Sequence, residues 1–202
     1  MTRALALAVV AFWLALIGWV THGFSSFTTY SVALAEAGPI PRPAPDFGFT
    51  DQAGVAHRLR GFRGGWVLVN FLYLDCPTAC PITTNKLSQV HEALEASMPG
   101  TVEFLSIDFE DDPRDRAREM WLAHGAPKHW SIGVISPGTA DATLRDYGVY
   151  VYRRPDGLIN HGVYLFLIDP AGELRRAYTP EPGPAVLARL ITEEIQGKAR
   201  EP

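Results

Sequence analysis

The chain opens on an unbroken apolar run from Ala4 to Val20, preceded by a single charge at Arg3. A helix over Ala4 to Phe24 would be about 31 Å long at ~1.5 Å per residue, close to the hydrocarbon thickness of a bilayer. Trp13 and Trp19 suit burial there, with Trp19 near an interface. Residues 1–24 therefore read as a membrane anchor. Ala33-Leu34-Ala35 has the small-x-small form of a signal-peptidase site, so removal is the competing reading. The run is longer than the ~7–15 apolar residues of a signal peptide, and the motif lies far beyond its end, which favours retention. Arg3 places the rest of the chain outside by the positive-inside rule. With no Arg-rich presequence, the expected location is a bacterial inner membrane, with the soluble part facing the periplasm. Residues 25–45 carry Pro39, Pro41, Pro43 and Pro45, and read as an extended, semi-rigid stalk.

Past the stalk the pattern alternates between strand and helix. Phe47 to Leu59 reads as a hairpin turning at Asp51 to Gly54. Trp66 to Leu74 (WVLVNFLYL) is nearly continuous in apolar and β-favouring residues, as expected of a central strand covered on both faces. Pro81 to Ser97 has helical spacing at Leu87, Val90, His91 and Leu94. Glu103 to Asp108 predicts a strand, and Asp112-Pro113-Arg114-Asp115 a helix start, with Asp112 as cap. Trp130 to Ile135 predicts a strand and Thr139 to Tyr147 a short helix. His161 to Ile168 and Glu173 to Tyr178 predict strands around the turn at Asp169 to Gly172, and Pro184 to Gln196 a closing helix. A βαβ pair followed by a hairpin and a last helix predicts an α/β, thioredoxin-like domain over 46–198. It has a central mixed sheet flanked by helices and an added N-terminal β-hairpin.

Composition narrows the function. The 202 residues are 47% hydrophobic, and 18 Lys plus Arg against 22 Asp plus Glu leave a net charge of −4. Disordered chains are poorer in apolar residues, and a nucleic-acid partner needs a cationic stripe that is missing here. Two cysteines are too few for a disulfide-rich scaffold.

Those two cysteines carry the chemistry. Cys76-Pro77-Thr78-Ala79-Cys80-Pro81 stands between the apolar strand and the helix after it, with Cys80 expected as cap and Cys76 in the loop. A helix amino terminus favours thiolate over thiol. Three intervening residues, rather than the two of a thioredoxin-type pair, suit two sulfurs on one metal at about 2.3 Å each, and also permit a disulfide. Two soft sulfurs suit Cu(I). A four-ligand structural zinc site lacks its second pair. The start of the late antiparallel strand faces the cysteine loop in a thioredoxin-like layout, which makes His161 the candidate third donor; a half-buried structural histidine is the alternative. For the cysteines the alternative is a buried or simply disulfide-bonded pair.

Asp75-Cys-Pro-Thr-Ala-Cys-Pro81, Asn160-His161 and Tyr164-Leu-Phe-Leu-Ile-Asp-Pro-Ala-Gly172 together resemble the Sco/SenC copper-binding proteins, over about Asp46 to Gln196 and with the same anchor and stalk. The resemblance implies one copper, as Cu(I) or Cu(II), held by Cys76, Cys80 and His161. It implies delivery to the dinuclear copper centre of cytochrome c oxidase subunit II, or reduction of that centre's cysteines. A periplasmic copper chaperone or a thioredoxin-like reductase is a further partner of that kind, and no nucleic acid is implied. The expected protein is a metallochaperone rather than an enzyme. The alternative is a thiol–disulfide oxidoreductase, with Cys76 attacking and Cys80 resolving; a peroxidase lacks an activating Arg near Cys76. Two departures stand out: Asp108-Phe109 where the family tends to have Asp-Pro, and Leu158 where relatives often carry Tyr. Among the other candidates, His57, His91, His124 and His129 read as solvated or structural. The acidic run from Asp108 to Asp115 lacks the pattern of a calcium loop. Helix capping is the expected role for Asp108 and Asp112. Arg153 and Arg154 read as exposed turn residues open to an acidic partner, and Asp75 as an electrostatic neighbour of the site.

Overall fold

The structure is a computed structural model that describes residues 2–21, 23, 27–74, 79–110 and 114–197. An eight-stranded mixed sheet forms its centre, in the order β1-β10-β9-β4-β5-β6-β2-β3. The strands are β1 (Arg42–Pro43), β2 (Gly48–Asp51), β3 (Ala56–Arg58), β4 (Trp66–Leu72), β5 (Val102–Asp108), β6 (Trp130–Ile135), β9 (Leu165–Ile168) and β10 (Glu173–Tyr178). Strands β4, β5 and β6 are parallel, and β9 closes antiparallel onto β4. A separate two-stranded hairpin joins β7 (Val151–Arg153) to β8 (Ile159–His161). The helices are α1 (Thr2–Val20), α2 (Thr29–Glu36), α3 (Ala79–Ser97), α4 (Arg114–Ala123), α5 (Ala140–Tyr147) and α6 (Pro184–Ile195).

The run WVLVNFLYL is apolar on both sides of the pleat because both sides of β4 are buried. Val67, Val69 and Phe71 join one core cluster, with Phe49, Ile107, Tyr147 and Phe166. Leu68 faces the other, with Leu87, Val90 and Leu94 of α3, Ala117 of α4, and Leu187 and Ile191 of α6. This is the burial expected of a strand in the middle of a parallel sheet. Asn70 interrupts the apolar run and is also buried. Its Oδ1 accepts from Ser106 Oγ at 2.7 Å, and Ser106 Oγ accepts from Trp130 Nε1 at 3.0 Å. The polar atom is satisfied inside the sheet, as burial requires.

The two predicted turns share one device. Asp51 Oδ1 accepts from the N–H groups of Ala53 and Val55, and Asp169 Oδ1 from those of Ala171 and Glu173, all at 2.9 Å. Gly54 and Gly172 take the positive φ values (84° and 89°) that each turn needs. Asp51 Oδ2 also meets His57 Nε2 at 2.8 Å. Burial pushes the Asp51 carboxyl up, but the Val55 and Ala53 amides and His57 outweigh it and hold it below its ordinary value. A depressed folded-state value stabilises the fold above the unfolded pKa, ~3.9, and that contribution is lost as pH falls through the folded value. Denaturation midpoints measured from pH 7 to pH 2 should therefore fall more steeply below about pH 4 in wild type than in Asp51→Asn. Parallel curves would remove Asp51 from the acid transition.

Within the expected stalk, the described residues 27–45 differ from an extended spacer. Thr29–Glu36 is helical, capped by Thr28, whose Oγ1 accepts from Ser31 N at 3.1 Å while Ser31 Oγ accepts from Thr28 N at 3.0 Å. The capping box has Ser at its third position in place of the usual Glu or Gln, so the sequence does not announce the helix start. The Ala33-Leu34-Ala35 motif lies inside that helix. Arg42–Pro43 pairs with β10, and the Pro45 carbonyl accepts from Tyr147 Oη at 3.0 Å. The proline-rich segment is thus docked on the domain: proline is tolerated in edge strands, where no partner needs its missing N–H. Helix α1 ends at Val20, short of the expected Phe24, which lies outside the described residues. Its stretch Arg3–Val20 is long and apolar enough to cross a membrane.

Candidate metal centre

The candidate site lies at the carboxyl ends of β4 and β5, where ligand sites form in open α/β sheets. Helix α3 starts at Ala79. Cys80 is therefore inside its first turn rather than its cap, a shift of the order by which helix ends are commonly misjudged. Asp75, Cys76, Asp112 and Pro113 lie outside the described residues, and of Cys80 only the backbone is described. Thr83 and Thr84 stand three and four residues after Cys80, the spacing that shares a helix face. They line a narrow cleft with Asn70, Phe71, Leu72, His161 and Val163.

His161 ends β8 rather than opening the strand that follows. The expected strand from His161 to Ile168 is broken after His161, and β9 begins at Leu165. The imidazole sits edge-on between two rings, 5.2 Å from Phe109 and 6.1 Å from Tyr73 (centroid distances). Tyr73 follows β4 and Phe109 follows β5, so the ends of both central strands form its socket. His161 Nδ1 lies 3.1 Å from the Gly162 carbonyl oxygen. A carbonyl only accepts, so Nδ1 carries the proton and Nε2 keeps its lone pair when the ring is neutral. Burial pushes the His161 pKa down, partly offset by that carbonyl. The result is a neutral imidazole with one nitrogen free to donate, the form that ligates metals.

Asp108 is fully buried at the end of β5, and its Oδ1 accepts from Glu110 N at 3.1 Å. It caps the loop after β5, not helix α4, which starts six residues later. Arg153 is exposed, but it belongs to β7 rather than to a turn, and pairs with Glu110 at 2.8 Å and Asp141 at 3.4 Å. It thereby ties the His161 hairpin to the loop after β5. Arg154 pairs with Asp156 at 2.6 Å. Sequence reasoning missed these ties, since acid and base stand 43 positions apart in the Glu110–Arg153 pair. The remaining histidines do other work. His91 Nε2 meets the Lys128 carbonyl at 2.8 Å, His129 pairs with Glu103 at 2.8 Å, and His124 packs on Trp130. Among the described residues, no three His, Cys, Asp or Glu side chains converge on a metal position.

The family model described as SCO1/SenC matches residues 38–196. The chain belongs to the SCO1/SenC family. The match begins inside the segment expected as a stalk, in keeping with the docking of β1. The human protein SCO2 homolog, mitochondrial, is 32% identical over 136 residues, which covers 63% of this chain and 50% of the human protein. The chain therefore spans about half the length of that relative. The copper-bound structure of Arabidopsis thaliana ScoI superposes with a TM-score of 0.70 at 20% identity, covering 77% of this chain and 99% of that one. BsSco, described as a member of the Sco family of cytochrome c oxidase assembly proteins with a disulfide switch, gives 0.66 at 18% identity, covering 79% and 95%. The fold of this SCO1/SenC chain is thioredoxin-like, as its strand and helix order implied.

Proposed function

We propose that this SCO1/SenC protein is a copper metallochaperone that holds one copper ion as cargo through Cys76, Cys80 and His161. We propose further that it delivers the ion to the dinuclear centre of cytochrome c oxidase subunit II. The observation that carries the reading is the cleft shared by His161 with Thr83 and Thr84, one helical turn beyond Cys80. The donors fit the cargo: two thiolates select Cu(I), and a neutral imidazole adds a third ligand without adding charge. Three protein ligands leave room for an incoming thiolate from an acceptor, so the cargo can be handed on rather than released. BsSco belongs to a family of cytochrome c oxidase assembly proteins, and copper is bound in the Arabidopsis thaliana structure. The apolar helix α1 supports anchoring in a bacterial inner membrane, with the domain facing the periplasm. A second reading, reduction of the acceptor's cysteines by the Cys76–Cys80 dithiol, draws on the disulfide switch described for BsSco. In that step the two thiols become a disulfide as the acceptor's disulfide takes up two electrons and two protons.

Anaerobic titration of the detergent-solubilised full-length protein with Cu(I), against a chromogenic chelator, tests the main reading. One equivalent should bind tightly, and Cys76→Ser and Cys80→Ser should each lose more than about 100-fold in affinity, beyond the range for loss of a supporting group. Unchanged binding in either variant would reject the ligand set.

A further inference from the structure

Helix α2 lies against the segment that carries His161. Its backbone meets the end of α5: a Cβ built on Gly148 would stand 2.6 Å from Leu34 Cα and 2.7 Å from the Ala33 carbonyl oxygen. Gly148 adopts φ 72° as the cap of α5, so glycine is needed there both for the backbone angle and for the close approach. Leu34 also packs against the core cluster of β4 and β9. With the helix held in this way, Tyr30 reaches the hairpin. Its ring meets Tyr150 edge-on at 5.7 Å. Tyr30 Cδ1 also lies 3.5 Å from where a Cβ on Gly162 would stand, and Tyr164 Cε2 lies 2.9 Å from the same point.

Gly162 is the residue on which His161 depends. Its N–H donates to the Tyr150 carbonyl at 2.9 Å, and its own carbonyl accepts from His161 Nδ1. A glycine without neighbours is free to pivot its peptide; here Tyr30 and Tyr164 cover the face of Gly162 that a side chain would occupy. We propose that Tyr30 is a positioning residue for the metal centre. By closing over Gly162 it fixes the carbonyl that orients His161, so α2 is part of the site's support. This rests on the reading of His161 as a ligand. Residues 21–28 alone separate α2 from α1, so the segment next to the apolar helix braces the imidazole. Support of this kind, one step removed from the ligands, typically changes metal affinity by about 10–100-fold.

A double-mutant cycle on the full-length protein, read as Cu(I) affinity by chelator competition, separates positioning from general stability. Tyr30→Ala should bind about tenfold more weakly. Tyr30→Phe should match wild type, because the contacts are made by the ring. Tyr150→Ala, which removes the facing ring, should reproduce Tyr30→Ala. In a His161→Ala background, Tyr30→Ala should have no further effect. The thiolate-to-copper absorption of the Cu(II) form should shift in Tyr30→Ala and not in Tyr30→Phe. Wild-type affinity in Tyr30→Ala, or an undiminished loss in the His161→Ala background, would overturn the positioning role and leave His161 as a ligand. Wild-type affinity in His161→Ala would overturn both.

Discussion

Replacing His161 by Ala is expected to lower Cu(I) affinity by more than about 100-fold, beyond the 10–100-fold typical of a lost supporting group. Two thiolates alone still hold Cu(I), so binding is weakened rather than abolished. On the proposed ligand set, what is lost is the third donor, a ring whose Nδ1 faces the Gly162 carbonyl. The same variant should reduce a small disulfide at a rate within about twofold of wild type, because exchange depends on the two thiols. Chelator competition reads the first quantity and thiol-exchange kinetics the second. Equal copper affinity in the two proteins would be decisive against the ligand assignment. A fall in both quantities would mean that the substitution disturbs the cysteine loop rather than the donor set.

Phe166→Ala should produce the largest loss of stability among single core truncations. Phe166 is fully buried in β9 and meets Phe71, Tyr147 and Tyr164 at ring-centroid distances of 6.1, 5.0 and 5.8 Å. Its partners lie on β4, on α5 and just before its own strand, so the cavity cannot be closed by moving one loop. Truncation of such a residue costs about 3–5 kcal/mol, the sum of lost transfer and unfilled cavity. For a domain of this size that is roughly a 10 °C fall in melting temperature. Thermal unfolding of the metal-free protein measures it without interference from cargo. A fall of less than about 3 °C would mean that the cluster repacks. Phe166→Leu, which keeps most of the volume, should lose about a third to a half as much.

The elements legible in the sequence were those whose residues report directly on burial or on a local turn. Trp66 to Leu74 announced a strand buried on both faces, since a central position needs apolar residues at nearly every step, and the strand found there is Trp66–Leu72. Asp51 to Gly54 and Asp169 to Gly172 announced turns because an Asp side chain caps its own following amides and Gly supplies positive φ. Trp130–Ile135 and Glu173–Tyr178 matched their predicted bounds. The short hairpin β7–β8 and helix α2 were not legible. Three-residue strands give no period to read, and the helix depends on a Ser-based capping box and on docking against Gly148. The prolines before Asp46 suggested an extended spacer; instead Arg42–Pro43 pairs with β10 at the edge of the sheet.

For the site, sequence alone could set Cys76 and Cys80 four positions apart at one strand-to-helix junction. It could single out His161 as a candidate. It could not choose the ring's tautomer, its aromatic socket of Tyr73 and Phe109, or the Arg153–Glu110 tie that holds its hairpin to the end of β5. Those contacts join residues far apart along the chain. Local preference carries no information about them; the register of the sheet and the packing of its faces bring them together.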